Sequence, residues 1–92
     1  MIMKNNIDVI LKRMIELLAV GGADDWVSAL EHIRVNFHKD PAGMSSKLIS
    51  MYGGMGSLND IVLYKEQKVL VAENNEFDSL RERLYEVCKK IR

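Results

Sequence analysis

Cysteine is nearly absent from this 92-residue chain, with Cys88 the single instance. A lone thiol excludes an internal disulfide and, with it, a secreted disulfide framework. The expected compartment is therefore a reducing cytoplasm. Net charge is missing too: 13 basic residues balance 13 acidic ones. Nucleic-acid binders show a basic excess or a basic stripe. Neither is present, so no direct contact with DNA or RNA is expected. Long apolar runs are also lacking. The stretch 7–20 is broken by Asp8, Lys12, Arg13 and Glu16. It reads as neither a signal-peptide core nor a membrane span, and no membrane association is expected. No repeat, low-complexity tract or linker interrupts the chain. Apolar residues at 48% and charged residues at 28% match ordinary globular usage. A single domain over 1–92 with one core is expected.

Metal ligands and nucleophiles are as scarce. His32 and His38 stand six apart, which puts them on different helix faces. With Cys88 they fall short of the four locally paired ligands of a closed zinc site. No metal and no cofactor are expected. Cys88 lies on the apolar stripe of its helix, where a free cysteine packs as a small hydrophobe. The acidic pairs Asp24-Asp25 and Glu82/Glu86 have no histidine or nucleophile beside them in sequence. They read as a helix start and a solvated face rather than as general acid–base pairs. No catalytic residues are assigned, and the chain is not expected to be an enzyme.

What is present is helical periodicity. Ile7, Ile10, Leu11, Met14, Leu17 and Leu18 recur at spacings of three and four, which predicts a helix over 6–20. Asn6 is its expected cap, and Gly21-Gly22 its stop. A second helix is expected over 25–37, capped by Asp24, with Trp26, Leu30, Ile33 and Phe37 facing inward. A third runs over 41–51, with Asp40 as cap and Pro41 in the first helical position. Trp26 reads as a core anchor, with an interface role as the alternative.

Beyond position 60 the period changes. "DIVLY" and "KVLVA" are short β-branched runs on either side of "KEQ" and predict an antiparallel hairpin. Asn74-Asn75 should break the pattern before a last helix carrying Phe77, Leu80, Leu84, Val87, Cys88 and Ile91 inward. The expected class is α+β, mainly α: three N-terminal helices, a β-hairpin and a C-terminal helix. A lone hairpin is marginal in water, so it must lie on the helices or pair across a subunit boundary. A homodimer is one way to cover its edges.

Three of the six glycines sit in "YGGMGSLNDIVL". The order is helix, glycines, strand, and no Lys-Ser/Thr pair follows. Neither the P-loop nor the dinucleotide fingerprint fits. The structural reading is a turn. Gly53 or Gly54 supplies a left-handed helix stop, and Gly56 permits a second bend. Ser57, Asn59 and Asp60 bond nearby backbone. Met55, between glycines, either plugs a gap or lies exposed as a contact.

The stretches "MYGGMGSLNDIVL" (51–63) and "ENNEFDSLRERLYEVCKKI" (73–91), with "DDW" at 24–26, resemble a family of small bacterial proteins of unknown function. That family includes immunity proteins of contact-dependent growth inhibition and other polymorphic toxin systems. The resemblance implies an immunity protein. It would bind one cognate toxin domain, a nuclease or another enzyme, in the cytoplasm and occlude its active site. The surface for such a partner is expected at acidic helix ends and near the loop: Asp24, Asp25, Trp26, Asp40, Met55, Glu73 and Glu76. The alternative is a small structural or regulatory homodimer without enzymatic activity.

Overall fold

A computed structural model of the chain describes residues 2–53 and 57–91, with side chains from residue 7 onward. Four helices form the frame: α1 (Ile2–Val20), α2 (Asp24–Asn36), α3 (Pro41–Ser50) and α4 (Val71–Ile91). Helix α1 packs against α2 and α4, and α4 also packs against α3. The spatial order is therefore α2, α1, α4, α3. The hairpin comprises β1 (Tyr64–Lys65) and β2 (Lys68–Val69), antiparallel in the register Tyr64 to Val69 and Lys65 to Lys68. The expected class, mainly α with one hairpin, is what the chain adopts.

The α1 stripe is the centre of the core. Leu11, Met14 and Leu18 are fully buried, and Ile7, Ile10 and Leu17 are nearly so. Leu30 and Ile33 reach them from α2, and Phe77, Leu84 and Cys88 from α4. Each large side chain buried this way contributes about 1.5–3 kcal/mol. The stop at Gly21-Gly22 is a Schellman motif. Gly22 is left-handed at φ 74°. Its N–H donates to the Ala19 carbonyl at 3.2 Å, while Ala23 N–H donates to Leu18 at 2.9 Å. Asp40 caps α3 as expected: Oδ1 accepts from Gly43 N–H at 3.1 Å. A Cβ at Gly43 would run into that carboxylate, so glycine there makes room for the cap.

Several expectations need correction. Helix α1 begins at Ile2, which places Asn6 inside it rather than at a cap. Helix α2 begins at Asp24, and Ala23 occupies the cap position without a side-chain bond. Asp24 and Asp25 therefore both sit in the first turn, where they face the positive end of the helix dipole. Trp26 is half-buried against the core rather than inside it. The strands are two residues each, not five. Val71 and Ala72 already belong to α4, which starts three residues before the expected break at Asn74. Asn74-Asn75 therefore lies in the first turns of a helix. The physical reason is a bond no periodicity reveals: Asn74 turns its amide onto an extended neighbour, described below.

Gly53 does not adopt a left-handed conformation. Instead α3 closes through Met51 N–H to Leu48 O at 3.0 Å and Tyr52 N–H to Ile49 O at 3.1 Å. Gly54, Met55 and Gly56 lie outside the described residues. The chain resumes in a short 3-10 turn over Leu58–Asp60, which buries Leu58 completely.

Candidate functional site

The segment between α3 and the hairpin is held by polar side chains acting on backbone. Ser57 Oγ accepts from Asn59 N–H at 3.3 Å, and Asn59 Nδ2 donates to the Tyr52 carbonyl at 2.7 Å. Asp60 N–H donates to Ser57 O at 2.9 Å. The expected roles of Ser57 and Asn59 in fixing the turn hold in the structure.

The longer-range clasps come from α4. Arg81 Nη1 donates to the carbonyls of Leu58 and Asn59 at 3.1 and 3.4 Å. Its Nη2 binds Asp78 Oδ1. Its guanidinium stands 5.7 Å from the Phe77 ring centre. Conversely, the Tyr52 hydroxyl donates to the Arg81 carbonyl at 2.6 Å. Loop and helix thus bind each other reciprocally. Burial pushes the Tyr52 phenol above its ordinary pKa, with smaller effects from Cys88 and Arg81. It stays a neutral donor at physiological pH.

Asn74 makes the second clasp. Its Oδ1 accepts from Leu63 N–H at 2.8 Å, and its Nδ2 donates to Leu63 O at 3.0 Å and Leu70 O at 2.7 Å. One amide thereby substitutes for a neighbouring strand. Leu63 is fully buried and lies across the α1–α2 turn. A Cβ at Gly21 would stand 2.7 Å from Leu63 Cδ2 and 3.3 Å from its Cα. Gly21 is thus the contact point that lets the segment approach.

Alternation then turns Val62, Tyr64 and Val69 outward. They are 49%, 50% and 50% exposed, and Val71 beside them 66%. The hairpin face that carries Tyr64 and Val69 is therefore apolar, while Lys65 and Lys68, also exposed, occupy the other. Its turn is made by Glu66 and Gln67, both at positive φ (52° and 68°). Two central residues in that region form the type I′ geometry that favours Asn-Gly. Lys65 and Lys68 stand opposite each other, and like charges directly across a ladder are unfavourable.

Beside the clasps a surface pocket of about 610 Å³ opens between α3, the turn and α4. Tyr52 and Tyr85 form one wall, with ring centres 5.1 Å apart and planes tilted by 52°. Asn59, Asp78, Arg81 and Glu82 supply its polar atoms. Positions 78, 81, 82 and 85 follow helical spacing, so they share one face of α4. That polar, tyrosine-ended stripe inside "EFDSLRERLY" was the sequence signal for the site, and the apolar stripe of the same helix obscured it.

The residues expected to meet a partner are spread over three helix starts. Asp24, Asp25 and Trp26 open α2, Asp40 precedes α3, and Glu73 and Glu76 lie early in α4. Asp40 is engaged as a cap. Glu76 is engaged by Arg13, with contacts of 2.6 and 2.9 Å, which hold its carboxyl below the ordinary range. Glu31 is likewise lowered by Arg34. Asp24, Asp25 and Glu73 remain without an ion pair among the described residues. Met55 falls outside them. Cys88 is buried, and desolvation raises its thiol to about 11, against a smaller opposing bond with Ser45. The fully buried Ser45 hydroxyl has no ordinary hydrogen-bond partner, so the weakly bonding thiol is its polar neighbour. Among the described residues no group of three or more His, Cys, Asp and Glu side chains could hold a metal. Among them, too, no helix is long and apolar enough to cross a membrane.

Residues 19–72, more than half the chain, match the family described as a domain of unknown function, DUF6966. The chain belongs to that family. No curated protein and no solved structure matches it.

Proposed function

We propose that the protein is a bacterial immunity protein that binds a cognate toxin domain in the cytoplasm and occludes its active site. The observation that carries the reading is the apolar outer face of the hairpin. Contiguous exposed apolar side chains on a small protein mark an association surface. Val62, Tyr64 and Val69 are presented by a strained turn on an element clasped firmly to α4. Rigid presentation lowers the ordering cost of association. The resemblance carried by the 51–63 and 73–91 stretches supplies the class of partner. Asp24, Asp25 and Glu73, without an ion pair among the described residues, suit a toxin with a basic cleft.

The test is co-expression with the domain of a toxin gene, which this reading expects directly upstream, reading growth and co-purification. The reading expects restored growth and a stable complex, both weakened by Tyr64→Lys with Val69→Lys. Undiminished toxicity without a complex would overturn it. The second reading, a non-enzymatic homodimer, is favoured by the hairpin's two outer edges, which are unpaired among the described residues. Sedimentation equilibrium separates the two: that reading requires a dimer without any toxin, lost in the same double variant.

A further inference from the structure

We infer that the pocket walled by Tyr52 and Tyr85 receives an arginine side chain from a protein partner, with Glu82 as its counter-ion. The inference deepens the immunity reading and rests on it for the partner's class. The pocket itself is argued from its own chemistry.

The charges inside are Asp78, Glu82 and Arg81. Arg81 is not available to a ligand. Its side chain is 16% exposed, and its guanidinium is committed to Asp78 and to the carbonyls of Leu58 and Asn59. With that pair neutral, Glu82 sets the sign. It is exposed and has no ion pair or hydrogen bond among the described residues. An anionic ligand would meet an uncompensated carboxylate.

The open hydrogen-bonding atoms point the same way. Asn59 spends its amide N–H on Tyr52, leaving Oδ1 as an acceptor without a described partner. The Tyr52 O–H is spent on Arg81. The open donors are the Tyr85 hydroxyl, the second Asn59 amide N–H and the Gly53 N–H; the open acceptors are Asn59 Oδ1 and the Glu82 carboxylate, the latter the pocket's one uncompensated charge among the described residues. A complementary group must donate several hydrogen bonds, carry positive charge and lie flat against aromatic carbon. Guanidinium does all three, with five N–H donors in a planar fork. An ammonium supplies the charge and three donors but no flat face to lie on the rings.

The fold already contains a small precedent. Lys89 Nζ stands 5.4 Å from the Tyr85 ring centre and is itself paired with Glu86 at 3.7 Å. Tyr85 is thus a ring against which a cation rests, and the resident cation is neutralised. The volume of about 610 Å³ lies in the range of ligand pockets, roughly 300–1,000 Å³. It accommodates a guanidinium and its stem with room for water.

The test is an NMR titration of the isotope-labelled full chain with N-acetyl-arginine amide, using N-acetyl-citrulline amide as the uncharged isostere. Saturable shifts are expected at Gly53, Asn59, Glu82 and Tyr85. The arginine derivative should bind at least ~5-fold more tightly than citrulline, as expected of a charge-assisted fork. Glu82→Gln should bring arginine to the citrulline level without moving the thermal midpoint, while Glu86→Gln should leave the preference intact. Equal binding of the two, or shifts elsewhere, would overturn the assignment. So would the absence of saturation up to roughly 50 mM, a concentration well above a millimolar dissociation constant. Because the probe is a blocked amino acid, failure here is separate from failure of the toxin test. Arginine binding without a toxin complex overturns the toxin and upholds the pocket.

Discussion

The helical frame and the 57–70 segment are built on different physics. The frame is held by apolar stripes that repeat every three or four residues and interlock across α1, α2 and α4. The segment has two fully buried side chains, Leu58 in the 3-10 turn and Leu63 directly before β1. Ile61 and Leu70 add partial burial against the core, and the rest of what fixes it is polar: Ser57 and Asn59 within the turn, with Arg81 of α4 at the 3-10 turn and Asn74 at Leu63 and Leu70. Frame contacts are non-directional and redundant. Segment contacts are directional and few. An element held that way keeps its outer face free for a partner, because no apolar side chain there is needed for anchoring.

The largest expected effect falls on the frame. Among the described residues Phe77 is the bulkiest fully buried side chain. Phe77→Ala should lower unfolding free energy by about 3–5 kcal/mol through lost burial and a residual cavity. Urea denaturation followed by circular dichroism measures it. A loss below about 1 kcal/mol would mean that the core there is not close-packed.

Asn74→Ala should cost less and act elsewhere. It deletes three side-chain bonds and leaves Leu63 N–H buried without its acceptor, a penalty of about 1–3 kcal/mol for that group. The diagnostic is location. Amide exchange should speed up over 61–70 while α1 and α2 keep their protection, because opening there is local. Uniform acceleration along the chain would erase the distinction between frame and segment.

The same distinction explains what could be read from the sequence. Helices α1, α2 and α3 followed from their stripes, their glycine stop and the Asp40-Pro41 start. The hairpin followed from two β-branched runs. Their extents did not follow, because Val71-Ala72 suits strand and helix alike. Asn74 chose the helix by bonding Leu63, eleven residues back. A turn-forming residue looks the same in sequence whether it breaks a helix or clasps a strand from inside one. The pocket was hidden for a related reason. Its acceptors matter only because Arg81 is consumed by two loop carbonyls, a fact of tertiary structure. Of the expected partner acids, Asp40 and Glu76 proved engaged in a cap and an ion pair, and no local pattern marks Arg13 and Glu76 as neighbours.

A gain rather than a loss is expected at the turn. Gln67 holds φ 68°, a region where a side chain is strained and glycine is not. Gln67→Gly, alone or with Glu66→Asn, should stabilise the hairpin by about 0.5–1 kcal/mol, since the relieved strain exceeds the added freedom of the unfolded chain. Slower exchange at the Leu70 amide, which donates to Leu63 at 3.0 Å, would register it. Unchanged exchange with lower stability would mean the left-handed turn carries no strain to relieve.

The smallest effect belongs to the Arg13–Glu76 clasp between α1 and α4. Hydrogen bonds from Arg13 lower the folded-state pKa of Glu76. The unfolded chain therefore takes up the proton first as pH falls. The stabilisation is fully present above the unfolded carboxylate pKa and is lost as pH drops through the depressed folded value. Both partners are exposed, so salt should screen most of it. Thermal midpoints of the parent chain should therefore fall slightly more steeply below pH 5 than those of Glu76→Gln, and the two slopes should converge in high salt. If they coincide at low salt as well, the clasp contributes nothing to holding α4 on α1. The frame would then rest on its apolar stripes alone, and polar clasps would be confined to the segment that α4 presents.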